Sequence, residues 1–239
     1  MKRELLSTIA FAGIALAVIF AVAPRPAQAQ DAKTPYPQMA PLDQYLIADR
    51  NVEIELARTA APETVAREAE VMVLTRHGYE VAVKGTNGFV CIVERSWTAD
   101  SDDPDFWNPK LRAPICFNPP AARTYLPLTI RKTDLVLAGK SKAEMFAGIN
   151  DGFEKKEIPT LEPGAMSYML SKQGYLGDSA GHWHPHVMFF VSDIDAATLG
   201  ANLAGSPVLA SPDKPDRLTV ILIPVGKWSD GTTAPMFEQ

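Results

Sequence analysis

Cysteine is nearly absent from this chain, basic residues fall short of acidic ones, and beyond residue 23 no long hydrophobic run occurs. Each shortage excludes something. With 23 Lys plus Arg against 28 Asp plus Glu, the net charge is -5, which leaves no electrostatic footprint for nucleic acid or for an anionic membrane surface. The only two cysteines, Cys91 and Cys116, lack the C-x-x-C spacing of redox or metal-binding pairs. There is no internal repeat, no low-complexity tract and no nucleotide-cofactor motif. No G-x-S-x-G or S-x-x-K spacing points to a serine nucleophile either.

What is present is globular: 46% of residues are hydrophobic against 21% charged, enough apolar surface to offset the ordering entropy of one domain. The N-terminus carries the most explicit signal. Lys2 and Arg3 precede an apolar run from Leu5 to Ala23, followed by Pro24, Pro26 and the small-x-small triplet Ala27-Gln28-Ala29. This pattern reads as a secretory signal over 1–29, cut after Ala29, and implies a periplasmic or secreted protein. The alternative is an uncleaved anchor, since the run approaches the ~20 residues that span a bilayer. No later segment is a membrane-span candidate. In an oxidising compartment Cys91 and Cys116 are expected to pair, stabilising the fold by about 3.5 kcal/mol in the chain-entropy model.

Along the exported chain, residues 30–41 hold Pro35, Pro37 and Pro41 and read as an extended leader to a single domain over 42–239. A helix is predicted next, with Tyr45, Val52 and Leu56 on one stripe, Leu42 and Leu46 beside it, and Pro62 ending it. Three strands at about 71–74, 79–84 and 89–93 read as a meander, with the loop 96–115 pinned back to the sheet through Cys116. A helical pattern from Ala121 to Ala138 must break or bend at Pro127. Ser141 and Glu144 form a capping box for a helix bearing Phe146, Ile149 and Phe153. Runs at 165–171 and 187–191 suggest a hairpin, 195–202 a short helix and 218–225 a buried strand. Helices and strands without βαβ alternation predict an α+β domain with a mostly antiparallel sheet.

Three of the four histidines fall in Gly181-His182-Trp183-His184-Pro185-His186. In an extended chain His182, His184, His186 and Met188 share one face. Neighbours in that row are roughly 6.7 Å apart, so two imidazoles can converge on one zinc or copper ion. The outer pair is about 13 Å apart, so a three-histidine site needs a bend at Pro185. Asp178, Glu162 or His77 are the candidates for a further ligand. Three readings follow: a non-catalytic binding or structural module with solvent-capping histidines, a zinc- or copper-binding protein or metal-dependent hydrolase built on His182, His184 and His186, or nonmetal chemistry in a loop over 172–185 holding Ser171, Lys172, Tyr175, Asp178 and Ser179.

Thr75-Arg76-His77-Gly78 resembles the start of the histidine phosphatase signature, which implies a phosphorylated His77. In that family the motif leads into a helix, whereas here it precedes alternating strand residues, and a plain turn with Gly78 at positive φ accounts for it. The exported chain as a whole resembles a family of uncharacterised exported bacterial proteins, through Lys84-Gly85-Thr86-Asn87-Gly88-Phe89-Val90-Cys91 and a His-Trp-x-Pro-His segment. That resemblance implies export and a disulfide, and no assigned activity.

Overall fold

The computed structural model describes residues 35–178, 180–182, 184–192 and 194–235. The signal-peptide reading of 1–29 and the start of the leader lie outside the described residues, as do Ser179 and Trp183.

Asp49, not the apolar stripe, sets the first α-helix. Its carboxylate accepts from the Asn51 amide at 2.8 Å, so α1 runs Arg50–Arg58 and buries Glu53, Ile54 and Ala57. The predicted stripe is therefore corrected: Val52 is 54% exposed, and Tyr45 packs from a 3-10 turn over Leu42–Gln44 before the helix begins. Pro62 then opens the single-turn α2, Glu63–Ala66.

Three strands follow, β1 (Glu70–Thr75), β2 (Gly78–Val83) and β3 (Val90–Glu94). They do not form the predicted meander. β1 pairs antiparallel with β2 but parallel with β3, so β3 lies on the far side of β1 and residues 84–89 cross back beneath it. Gly85 makes that crossing: a Cβ there would stand 2.1 Å from the Glu70 backbone nitrogen. The Gly85–Gly88 segment is thus a close-packed crossover where the sequence suggested a hairpin turn.

β4 (Ala113–Phe117) emerges where the sequence suggested only the end of a loop, and it pairs antiparallel with β3 in a register that sets Cys91 opposite Cys116. The disulfide is formed. The helical stretch breaks as expected, into α3 (Pro119–Thr124) and α4 (Leu126–Leu137), with Pro127 in the first turn of α4 where its missing N–H costs nothing. The Ser141 and Glu144 capping box opens α5 (Lys142–Glu154). β5 (Met166–Met169) and β6 (His186–Ser192) form the expected antiparallel pair, a 3-10 turn spans Ala196–Leu199, and β7 (Leu209–Asp213) and β8 (Leu218–Pro224) close the sheet. β7 carries Pro212, which suits an edge strand because proline donates nothing to the ladder.

Among the described residues eight strands run β2-β1-β3-β4-β5-β6-β8-β7, all antiparallel neighbours except β1 and β3, and the fold is α+β. Val71, Val73, Cys91, Val93 and Cys116 face a core shared with Ile54 and Ala57 of α1. The alternate residues Leu74, Ile92, Ile115 and Phe117 face a second core with Leu126, Val136 and Met145 of α4 and α5. Central strands covered on both faces explain the unbroken apolar runs of β1, β3 and β4. Asp134 of α4 lies beside Gly78 of β2, while Lys132 of α4 bonds Asp216 between β7 and β8, so the sheet curls until one helix meets both its edges. No helix among the described residues is long and apolar enough to cross a membrane.

Candidate functional site

β6 begins only at His186, so His182 and His184 precede the strand and the alternating row does not exist as drawn. His182 is exposed and its Nδ1 donates to the Gly174 carbonyl, with the Tyr175 ring edge-on at 6.0 Å. His186 is 3% exposed and its Nδ1 donates to the His184 carbonyl at 2.8 Å. Burial pushes the His186 imidazole down to about 4, so it is neutral at pH 7. A carbonyl on Nδ1 is also how metal-ligating histidines are oriented, so convergence is the deciding observation. His184 and His186 border one cavity of about 10 Å³, room for roughly a single water, and His182 does not line it. Among the described residues no group of three or more His, Cys, Asp or Glu comes together to hold a metal ion.

The proposed additional ligands Glu162 and Asp178 are engaged by other partners, and His77 lies at a hairpin tip. Glu162 holds Arg123 through two bonds of 2.9 and 2.7 Å. His77 sits at the tip of the β1–β2 hairpin, beside Gly78 at φ 116°, which is the turn reading of that motif. Asp178 accepts from the Tyr36 hydroxyl at 2.6 Å and from the Tyr175 hydroxyl, and Lys110 stands 3.8 Å away. Those donors lower the Asp178 carboxyl, and the hydrogen bond that Tyr36 donates to it pushes the Tyr36 phenol up to about 12.

The remaining residues of the 172–185 loop are also tied down separately. Ser171 shares a 2.6 Å bond with Thr59, Lys172 pairs with Asp230 at 2.8 Å, and Tyr175 and Arg112 exchange backbone bonds. Ser171, Lys172 and Tyr175 do not form a nucleophile and base pair with one another. The loop is a clamped segment, and through Asp178 it also fastens the leader, which from Tyr36 onward belongs to the domain: Met39 and Ala40 pack on the main core.

That leader walls a groove the sequence did not reveal. About 980 Å³ of space lies between residues 36–42, the loop at 103–107 and the turn joining α4 to α5. Phe106 and Trp107 form its floor, in edge contact at 4.8 Å, and Val136 and Leu137 of α4 line one side. Lys142 places its ammonium 4.0 Å over the Phe106 ring, and burial lowers its pKa while Asp103 and Asp102 oppose that shift. Lys140 on the rim pairs with Glu144. The signal available in the sequence was the Phe106-Trp107 dipeptide inside a polar loop, an aromatic pair with no periodic element to bury it.

A second polar centre also escaped sequence reasoning. Glu94 at the end of β3, Lys132 of α4, and Asp213 and Asp216 of the β7–β8 turn are all buried. No motif spacing links residues so far apart in the chain. Compared with protein-family models, with curated proteins and with solved structures, the chain matches none.

Proposed function

We propose that this protein is an exported, non-catalytic binding module of the cell envelope whose ligand lies in the groove over Phe106 and Trp107. The groove is the observation that carries this reading. Its volume of about 980 Å³ falls at the upper end of small-molecule sites, and the half-buried Met39 and Leu137 give it apolar walls above the buried Phe106 and Trp107. The expected ligand is a small organic molecule with an apolar or aromatic body. Export rests on the N-terminal pattern of residues 1–29, and the formed disulfide is consistent with it. The histidine cavity of about 10 Å³ leaves no comparable space for a substrate.

Nile red, an apolar dye whose emission reports its surroundings, tests the reading. Ala143→Trp, at an exposed position of α5 on the groove wall, fills the space without disturbing the core. The dye is expected to bind the parent protein in the micromolar range and to lose at least tenfold in affinity with the variant. Absence of binding to the parent, or equal binding to both, overturns the groove reading. For the metal alternative, zinc and copper titrations of the parent and of His182→Ala plus His184→Ala remain the direct measurement. Tight binding lost in the double variant would favour it over the present proposal.

A further inference from the structure

Among the described residues, the seam between the β7–β8 hairpin and α4 contains more negative charge than its single cation, Lys132, can balance. Glu94, Asp213 and Asp216 surround Lys132, and these four side chains are 2–8% exposed as residues. Lys132 bonds Asp216 Oδ2 at 2.5 Å, and Asp213 Oδ1 accepts from the Asp216 amide at 3.1 Å. Asp216 Oδ1 is buried and meets no donor among the described residues. Fully ionised, the set would bury three carboxylates against one ammonium, which desolvation forbids. Two protons restore neutrality. The Thr129 hydroxyl donates to Glu94 at 3.3 Å, and the Ser211 hydroxyl donates to Asp100 at 3.0 Å at the margin of the set. Thr98 and the buried Tyr125 complete the surroundings, while Arg217 turns away to Asn150 and Glu154.

We propose that this seam is a proton-operated latch: with Glu94 and Asp213 protonated, the hairpin is held on α4 by the Lys132 and Asp216 pair, and loss of the two protons loosens it. The protonated Asp213 is the group that supplies a donor to Asp216 Oδ1. Burial, reinforced by the neighbouring carboxylate of Asp216, raises the Asp213 carboxyl to about 6, and burial raises Glu94 to about 7. Both folded values exceed the ordinary ones of 3.8 and 4.5, so the folded seam binds protons more tightly than the open one. Its stability is therefore complete at low pH and falls as pH rises through the interval from the ordinary to the raised values. An exported protein meets such changes of pH directly. The latch does not depend on the groove reading.

Hydrogen exchange read by mass spectrometry on the intact protein at pH 5 and pH 8, corrected for intrinsic rates, tests the latch. Peptides over 209–224 are expected to lose at least about tenfold in protection at pH 8, the size that Asp213 alone supplies. Glu94→Gln plus Asp213→Asn should keep the acid-level protection at both pH values, since an amide at 213 can donate to Asp216 Oδ1 permanently. Equal protection of the parent at both pH values, or an undiminished loss in the double variant, overturns the proposal. Should the double variant not fold, Asp213→Asn alone decides: a loss about tenfold smaller than the parent's supports the latch, and a difference under twofold contradicts it.

Discussion

His186 shows how one buried side chain can be misread from its neighbours. The clustering of His182, His184 and His186 suggested ligands, yet His186 enters the sheet as the first residue of β6 and donates to the His184 carbonyl. Its imidazole is held down to about 4 by burial, whereas the unfolded chain keeps the ordinary value of 6.5. A depressed base contributes stability that is complete above the unfolded value and is lost as pH falls toward the folded one. The expected cost between pH 7.5 and pH 5 is about 2 kcal/mol from this residue alone. It opposes the gain from Glu94 and Asp213, so the comparison must be made against a variant. Urea unfolding of the parent and of His186→Leu at both pH values should show the variant gaining about 2 kcal/mol relative to the parent on acidification. An unchanged difference would mean that the imidazole is not buried neutral.

At the scale of elements, local chemistry was legible and long-range pairing was not. The capping box at Ser141 and Glu144, the interruption at Pro127 and the pairing of β5 with β6 followed from caps, a missing donor and two apolar runs. α1 was misplaced because an apolar period does not say where a helix begins, and Asp49 does. The β1–β2–β3 order was misread because Gly85 looks like a turn glycine in the sequence, while its function is to let backbone pass backbone. β4 and β7 were missed: β4 sits at the end of a polar loop, and β7 contains Ser, Pro and Asp, which only an edge position tolerates. The crossover gives a sharp contrast between two glycines. Gly85→Ala forces a Cβ to within 2.1 Å of the Glu70 nitrogen and should cost more than about 3 kcal/mol. Gly139→Ala, at φ 76° with no atom within 4 Å of its Cβ, should cost only about 1 kcal/mol, through backbone strain. Thermal unfolding of the two variants checks the ranking, and equal melting temperatures would contradict the close crossing.

At the scale of the molecule, one curled sheet gathers residues that are distant in sequence. Its concave side holds α4, whose Lys132 closes the acidic seam and whose Val136, one turn on, lines the groove. The two centres are adjacent through a tilted aromatic pair, since Lys132 lies 5.6 Å from the Phe146 ring and Phe146 lies 5.9 Å from Phe106 in the groove floor. Beyond the Phe106-Trp107 dipeptide little of this was visible in the sequence, because the groove joins segments far apart in the chain and the seam joins single residues far apart; both exist only once the sheet has curled around α4. Photolabelling is the most direct test of the groove as the ligand site. Benzophenone, an apolar two-ring molecule smaller than the groove, would be irradiated with the intact protein and its attachment mapped by peptide mass. The account expects adducts on residues 36–42 and around Phe106 and Trp107, and their loss in Ala143→Trp. Labelling spread over other surfaces, or retained in the variant at the same residues, would contradict it.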